Sequence, residues 1–237
     1  MLLVENAFLR FATLAAACSI GAAGRREDWG DPAYDAAVAQ LPVKLRGEGV
    51  KISKLVVIGV SYSGFANAEL VATHPEMGAD ALIVVDSYLD LPARYGALIP
   101  NHETQAEIEA ALGGTLAEKS QACAERSPSH HLVRLARAIR DGLKLVVVWS
   151  VSPEERREFL GATCSLQANA QWLSQLAGVL GTPVVGYVTH LPHAHALWDR
   201  GQALLELAGI GRAPKPLLAR PVAFRPGDAI PATSYCS

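Results

Sequence analysis

The sequence predicts an α/β fold in which a mostly parallel β-sheet is flanked by helices. Four continuous apolar runs, each typical of a strand buried on both faces, occupy residues 54–58, 79–85, 143–149 and 184–188. Helix-like segments separate these runs, and strands that alternate with helices favour a parallel sheet covered on both faces. The chain has 237 residues, of which 50% are hydrophobic, so it can bury the core of one sizeable domain.

The N-terminal segment contains an apolar stretch over 11–23 that is preceded by Arg10. A secretory signal expects a basic start and a longer Leu-rich centre, whereas Glu5 stands early here. We therefore expect a short buried strand over 11–16 and a Gly-rich loop through Gly24, and a secreted or lipoprotein form is less favoured. The four cysteines lie far apart without metal-site spacing, which favours reduced thiols and a cytoplasmic protein.

The elements that follow have recognisable boundaries. Asp31 is a predicted helix N-cap with Pro32 at the first helical position, and this helix continues over 33–45. The longer segment 91–141 contains a polar helical stretch over 102–119 and an amphipathic one over 132–139, which indicate a helical lid insertion or else a passive crossover. We expect one domain over 1–211, with further helices over 169–180 and up to Ala208, followed by an aperiodic Pro-rich tail over 212–237.

Several partners are disfavoured by composition. The net charge is −2 and no basic block occurs, so nucleic acid is a poor partner. No stretch approaches the roughly twenty apolar residues of a membrane span. His130 and His131 are adjacent and would point to different faces of a helix, and no carboxylate stands at a useful spacing, so we expect no metal.

The stretch Gly59-Val60-Ser61-Tyr62-Ser63-Gly64 follows the first of the four runs and precedes a helix-like segment over 65–73. A strand, a tight turn of small residues carrying a serine, and a helix form the geometry of a nucleophile elbow. The pattern G-x-S-x-G has Ser63 at its last place with Gly64 next to it. The alternative is a tight turn in which the serine is incidental.

Three histidines, His190, His193 and His195, follow the last of the four runs, and Asp86 ends the second. A serine hydroxyl is a poor nucleophile unless an imidazole accepts its proton, and the imidazole needs a carboxylate to orient it and stabilise its cation. The C-terminal ends of parallel strands lie at one edge of the sheet, so these residues can meet there. Asp86 could instead serve as a turn acceptor.

The strand order, the elbow, Ser127-Pro128 and the segment His195-Ala-Leu-Trp198 resemble the α/β-hydrolase superfamily over residues 1 to 208. The resemblance implies Ser61 as nucleophile, the backbone N–H of Tyr62 as an oxyanion donor and His195 as general base, with His193 and then His190 as alternatives. The family's usual acid position, after the run 143–149, holds no aspartate. Asp86, one strand earlier as in a minority of the superfamily, is then the first choice of acid, followed by Glu154 or Asp90.

The opening strands and the His-Gly loop that donates the second oxyanion N–H in this superfamily have no match before residues 11–24. The sequence therefore predicts a shortened hydrolase with weakened activity, or an incomplete sequence. A shortened sheet would expose an edge strand, from which we expect a homodimer.

The expected function is that of a serine hydrolase that cleaves a carboxylic ester or related acyl compound through a Ser-His-acid catalytic triad, without a metal or organic cofactor. The apolar character of the lid favours a small hydrophobic acyl or alcohol group in this small-molecule substrate. The alternatives are a non-catalytic hydrolase-like binding protein, and a thioesterase or acyltransferase.

Overall fold

The computed structural model describes residues 31–95, 102–151 and 162–228, and these contain one five-stranded sheet in the order β1-β2-β3-β4-β5. The first four strands run parallel, and β5 runs antiparallel to β4. The predicted mostly parallel α/β sheet is confirmed. The strands are β1 (Val56–Val60), β2 (Ala81–Val85), β3 (Lys144–Ser150), β4 (Val184–Thr189) and β5 (Ala219–Phe224).

Helices cover the connections between these strands. The α-helices are α1 (Pro32–Gly47), α2 (Tyr62–Thr73), α3 (Leu91–Tyr95), α4 (His102–Leu112), α5 (Ser120–Glu125), α6 (Leu132–Arg140), α7 (Ala162–Leu180) and α8 (His195–Leu207), and two short 3₁₀ helices span Pro75–Met77 and Pro128–His131. The predicted N-cap of α1 is confirmed, because the Asp31 carboxylate accepts the backbone N–H of Ala33 at 2.9 Å and that of Tyr34 at 3.3 Å.

The core lies on both faces of the sheet, as continuous apolar strands require. In β2, Leu82 and Val84 pack on the face covered by α1, α2, α6 and α7, and Ala81, Ile83 and Val85 pack on the face covered by α8. Every side chain of β2 is at most 1% exposed. Packing on both faces therefore holds the ends of the strands in defined positions.

Some sequence expectations need correction. Part of the predicted tail is a strand, since β5 pairs with β4 and Phe224 packs against Trp149, with ring centroids 5.9 Å apart. The sequence signal of this strand is weak because β5 contains Arg220 and Pro221, and proline is tolerated in an edge strand. The helix predicted from Asn169 begins at Ala162 instead. The division into a domain over 1–211 and a tail stays a prediction.

The segment between β2 and β3 is a helical insertion, but α4 ends at Leu112 rather than near Lys119. Gly113 has φ +74°, which stops the helix. Phe65 and Ala66, near the start of α2, form a separate apolar cluster with insertion residues that include Leu91 and Ile108. The insertion is therefore anchored beside the turn at Ser61, while its role as a lid stays a prediction.

Other predictions fall on residues outside the described ranges, namely the strand over 11–16, the loop through Gly24, and Glu154. Among the helices that the structure describes, none is long and apolar enough to cross a bilayer. The same part of the chain contains no group of three or more His, Cys, Asp or Glu side chains placed to hold a metal ion.

Strand β1 is an edge of the described sheet, and α2 covers part of that edge. The Ser63 hydroxyl donates to the Val60 carbonyl at 2.7 Å and accepts the Val60 N–H at 3.0 Å, while the Asn67 side-chain amide donates to the Ile58 carbonyl at 2.9 Å. These backbone groups of Val60 and Ile58 face away from β2, so side chains of α2 already satisfy the C-terminal end of the β1 edge. The predicted homodimer would therefore need the N-terminal end of the β1 edge for pairing. A monomer mass by light scattering at micromolar concentration would contradict this dimer.

Two carboxyl groups meet in the core between α1 and α2. Asp35 is 2% exposed and Glu69 is 6% exposed, and His131 Nε2 lies 3.9 Å from Glu69 Oε1. Burial and a hydrogen bond to Glu69 raise the pKa of Asp35 to about 9, and burial raises that of Glu69 as well. Asp35 therefore stays protonated at neutral pH and shares its proton with Glu69.

This pair predicts that alkaline pH destabilises the protein. An acid whose pKa is higher in the folded state binds more protons than it does unfolded, so its contribution is present below the unfolded pKa and is lost as pH rises through the folded value. Asp35→Asn should flatten the fall in unfolding free energy between pH 5 and 9 by up to about 1.4 kcal/mol per pH unit, the value for one proton. Urea unfolding across this range measures the slope.

The matched control is Asp141→Asn, because the Asp141 side chain is 74% exposed and lies in an exposed i,i+4 pair with Arg137. This variant should keep the wild-type slope. Equal slopes for wild type and Asp35→Asn would contradict the assignment of a shared buried proton.

Candidate functional site

Ser61 stands at the sharp turn between β1 and α2. Its φ is +55° and its ψ is −129°, a conformation that L-residues rarely adopt and that costs about 1–3 kcal/mol. The Ser61 N–H donates to the Val85 carbonyl at 2.9 Å, which continues the β1–β2 ladder through the turn. The Ser61 carbonyl then accepts the N–H of Gly64 at 3.1 Å, which begins the helix. This strained strand–turn–helix is the geometry of a nucleophile elbow.

Two glycines make the elbow possible because the chain passes close to itself. A Cβ on Gly59 would lie 2.5 Å from the Ser63 carbonyl oxygen and 2.6 Å from the Gly64 nitrogen. A Cβ on Gly64 would lie 1.9 Å from Ser87 Oγ. After the serine, the position that must be glycine for this close packing is therefore Gly64. Ser63 stands at the last glycine of the G-x-S-x-G motif, and its hydroxyl binds the backbone of Val60.

Asp86 directly follows β2 and also has a positive φ, of +50°. Its Oδ1 accepts the Ser150 N–H at 2.6 Å, and its Oδ2 accepts the Ser150 hydroxyl at 2.9 Å and the Ala194 N–H at 2.8 Å. Loss of solvent raises the pKa of Asp86, and the charge of His193 together with these hydrogen bonds opposes that rise. One carboxylate therefore joins the ends of β2 and β3 to the loop after β4.

The two foremost histidine candidates have different partners. His195, the first residue of α8, places Nδ1 2.8 Å from Asp199 Oδ2, and its ring packs edge-on against Trp198 with centroids 5.3 Å apart. The side chains of His195 and Asp199 are 38% and 49% exposed, so solvent screens this pair. His193 is partly buried, and its charge acts on Asp86. The structure thus brings Asp86 together with His193, and His195 together with Asp199.

The remaining candidates lie in other settings. Asp90 accepts the Ala93 N–H at 2.8 Å, which is the role of a helix cap for α3. His190 is exposed at the end of β4. Tyr62, whose N–H is the candidate oxyanion donor, is the first residue of α2 and stands directly after Ser61.

Backbone strain in the described part of the chain is concentrated at this edge of the sheet. Ser61, Asp86 and Ala194 are the non-glycine residues with positive φ there, and Ala194 has φ +65°. Val60 and Val85 are register partners, so Ser61 and Asp86 leave neighbouring strands side by side. Strained residues persist where the surroundings over-determine them, and they cluster at functional sites.

Sequence reasoning missed three residues of this constellation. Asp199 is four residues after His195, a helical spacing that could have revealed the pair. Ser150 carried only the weak signal of a polar residue at a strand end. Nothing in the sequence indicated the left-handed backbone of Ala194, because alanine has no preference for it.

No protein-family model and no curated protein matches the sequence. Among solved structures, the chain is similar to the crystal structure of Mycobacterium tuberculosis MPT51 (FbpC1), with a TM-score of 0.51 and 16% sequence identity. The match covers 76% of this chain and 69% of that one. At this identity the likeness concerns the fold, which is an α/β-hydrolase fold.

The elbow predicts an asymmetric response of two glycines to alanine substitution. Gly59→Ala forces a Cβ against backbone atoms and should lower the unfolding free energy by about 1–3 kcal/mol, as overpacking does. Gly178→Ala is the matched control, because a Cβ there meets nothing within 4 Å, and in α7 it should be neutral or stabilise by about 0.5–1 kcal/mol. Urea unfolding measures both, and equal stability of the two variants would contradict the close packing at the elbow.

Proposed function

We propose that this chain is a serine hydrolase that cleaves a carboxylic ester or a related acyl compound. In this proposal Ser61 is the nucleophile, His193 the general base, Asp86 the acid that orients it, and the Tyr62 N–H an oxyanion donor. The proposal goes beyond the α/β-hydrolase fold, because one fold can support many functions or none.

The observation that carries the proposal is the hydrogen-bond set of Asp86. A partly buried carboxylate accepts the N–H of Ala194 at 2.8 Å and so fixes the backbone directly after His193. The same aspartate leaves the sheet beside Ser61, because Ser61 and Asp86 follow the paired residues Val60 and Val85. Nucleophile, acid and histidine loop thus belong to one hydrogen-bonded edge, as a triad requires.

His193 is preferred over His195 for an electrostatic reason. An imidazole that accepts the serine proton becomes a cation, and a poorly solvated carboxylate stabilises that cation more strongly than an exposed one. Asp86 is such a carboxylate and interacts with His193, whereas Asp199 is 49% exposed beside His195. His195 with Asp199 is the second candidate pair.

The reaction follows from these roles. The Ser61 oxygen attacks the carbonyl carbon of the ester while the imidazole removes the hydroxyl proton, and the Tyr62 N–H donates to the developing oxyanion. The imidazolium then protonates the leaving alcohol, and the acyl group stays on Ser61. Water, deprotonated by the same imidazole, attacks the acyl-enzyme and releases the acid with Ser61 restored.

Exposed aromatic residues near the elbow and the histidine loop support an apolar substrate group. Tyr62 is 39% exposed directly after Ser61, and Trp198 is 46% exposed beside His195. The apolar cluster of Phe65, Leu91 and Ile108 holds the insertion against the start of α2. We therefore assign a small hydrophobic acyl or alcohol group to the substrate, with the insertion as the lid.

A fluorophosphonate probe tests the enzyme against a non-catalytic binding protein of the same fold. The wild-type protein should be labelled at Ser61, because the probe reacts with serines activated by a neighbouring base. Ser61→Ala should abolish labelling, while Ser174→Ala, a control that removes the hydroxyl of a buried serine in α7, should keep it. Well-folded wild-type protein that takes up no probe would contradict the proposal and favour the binding protein.

Amide and alanine variants distinguish the two histidine–acid pairs. His193→Ala and Asp86→Asn should each lower kcat by about 10⁴-fold, the scale of losing a triad member. His195→Ala and Asp199→Asn should stay within about tenfold, because an exposed ion pair contributes little. Hydrolysis of a short-chain p-nitrophenyl ester provides the assay, and the reverse ranking would transfer the catalytic roles to His195 and Asp199.

A further inference from the structure

Ser150 is the last residue of β3 and binds Asp86 with both of its hydrogen-bond donors. Its N–H donates to Oδ1 at 2.6 Å, and its hydroxyl lies 2.9 Å from Oδ2. The same hydroxyl lies 3.3 Å from the Pro192 carbonyl, in the loop that carries His193. Ser150 is 7% exposed, so these bonds are shielded from solvent.

The arrangement of donors determines which part of the carboxylate stays open to an imidazole. A carboxylate has about four acceptor positions, two on each oxygen. Oδ2 already accepts the Ser150 hydroxyl and the Ala194 N–H, while Oδ1 accepts the Ser150 N–H. Among the donors of the described residues, this leaves one acceptor position, which is on Oδ1, and Ser150 contacts both oxygens in the orientation that leaves it there.

We propose that Ser150 is a positioning residue that holds the Asp86 carboxylate and the histidine loop in the geometry required for proton transfer. This inference rests on the proposed function of Ser61, His193 and Asp86. Ser150 itself does not contact the reacting atoms. It acts on Asp86 through two hydrogen bonds, and on the loop through Asp86, which accepts the Ala194 N–H.

The hydroxyl also favours the charged form of the acid. A hydroxyl has one hydrogen, and a carboxylate is a stronger acceptor than a peptide carbonyl, so the hydrogen lies toward Asp86 while that residue is ionised. Loss of solvent raises the pKa of Asp86, and the Ser150 bonds oppose the rise. His193 is the titratable group whose charge acts on Asp86, whereas His195, the first residue of α8, is paired with Asp199.

Removal of the hydroxyl should therefore be visible at Asp86 without any assay of activity. In Ser150→Ala, carbon-13 NMR of labelled aspartate, with the signal assigned through Asp86→Asn, should show the carboxyl pKa raised by about one unit. Ser150→Thr keeps the hydroxyl and should return the titration toward the wild-type value. Ser150→Cys, with a weaker donor of similar size, should fall between wild type and alanine.

The kinetic counterpart is a fall in kcat with KM unchanged within about twofold, because a positioning residue acts in the transition state and not on substrate binding. Ser174→Ala is the matched control. Ser174 is 8% exposed, and its hydroxyl lies 3.3 Å from the Arg225 carbonyl and 3.2 Å from the Asp228 carbonyl, so its partners are backbone groups and not Asp86. This variant should leave the Asp86 titration and kcat as in the wild type.

The two levels of the proposal fail in different ways. Wild-type protein without hydrolysis or labelling would overturn the proposed function, and the NMR titration would still show whether Ser150 sets the ionisation of Asp86. An active enzyme whose Ser150→Ala form keeps the wild-type kcat and Asp86 titration would overturn the positioning role alone. Equal changes in Ser174→Ala would also overturn it, because they would indicate a general loss of packing.

Discussion

The candidate site depends on one carboxylate that is largely withdrawn from solvent. Asp86 ends β2 and accepts hydrogen bonds from Ser150 at the end of β3 and from Ala194 in the loop after β4. An acid in this position is costly unless donors surround it, because withdrawal from water disfavours its charge. The three donors offset that cost, and the bond from Ala194 also holds the loop after β4 against the paired ends of β2 and β3. The same hydrogen bonds thus stabilise the charge of Asp86 and position the segments around it.

The elbow adds a second constraint, which is backbone strain. Ser61 occupies a rare conformation, and Gly59 approaches Ser63 so closely that no side chain fits between them. Such strain persists only where the surroundings over-determine the turn. The ladder bond from Ser61 to Val85, the Ser63 hydroxyl on Val60 and the apolar contacts of Phe65 with the insertion supply that determination. These contacts with neighbouring elements thus hold the strained turn at Ser61 in place.

Sequence reasoning reached those features whose signals are local. The cap at Asp31, the buried run of β2 and the small-residue turn at Ser61 each depend on neighbours within a few positions. The partners of Asp86 could not be found in this way, because Ser150 is 64 residues away and Ala194 is 108 residues away. His195 was likewise preferred to His193 as general base from the sequence, because the proximity of His193 to Asp86 arises only in the folded chain. Strand β5 was not predicted, because an edge strand tolerates proline and polar residues and its sequence pattern is therefore weak.

The most direct test of the proposed triad is a crystal structure of the protein after reaction with a small alkyl fluorophosphonate. The proposed triad predicts phosphorus bonded to Ser61 Oγ, the phosphoryl oxygen within hydrogen-bond distance of the Tyr62 N–H, and the His193 ring between that centre and Asp86 Oδ1. An adduct on a different residue would contradict the nucleophile. An adduct on Ser61 with the His195 ring in that place, and His193 turned away from Asp86, would contradict the proposed triad.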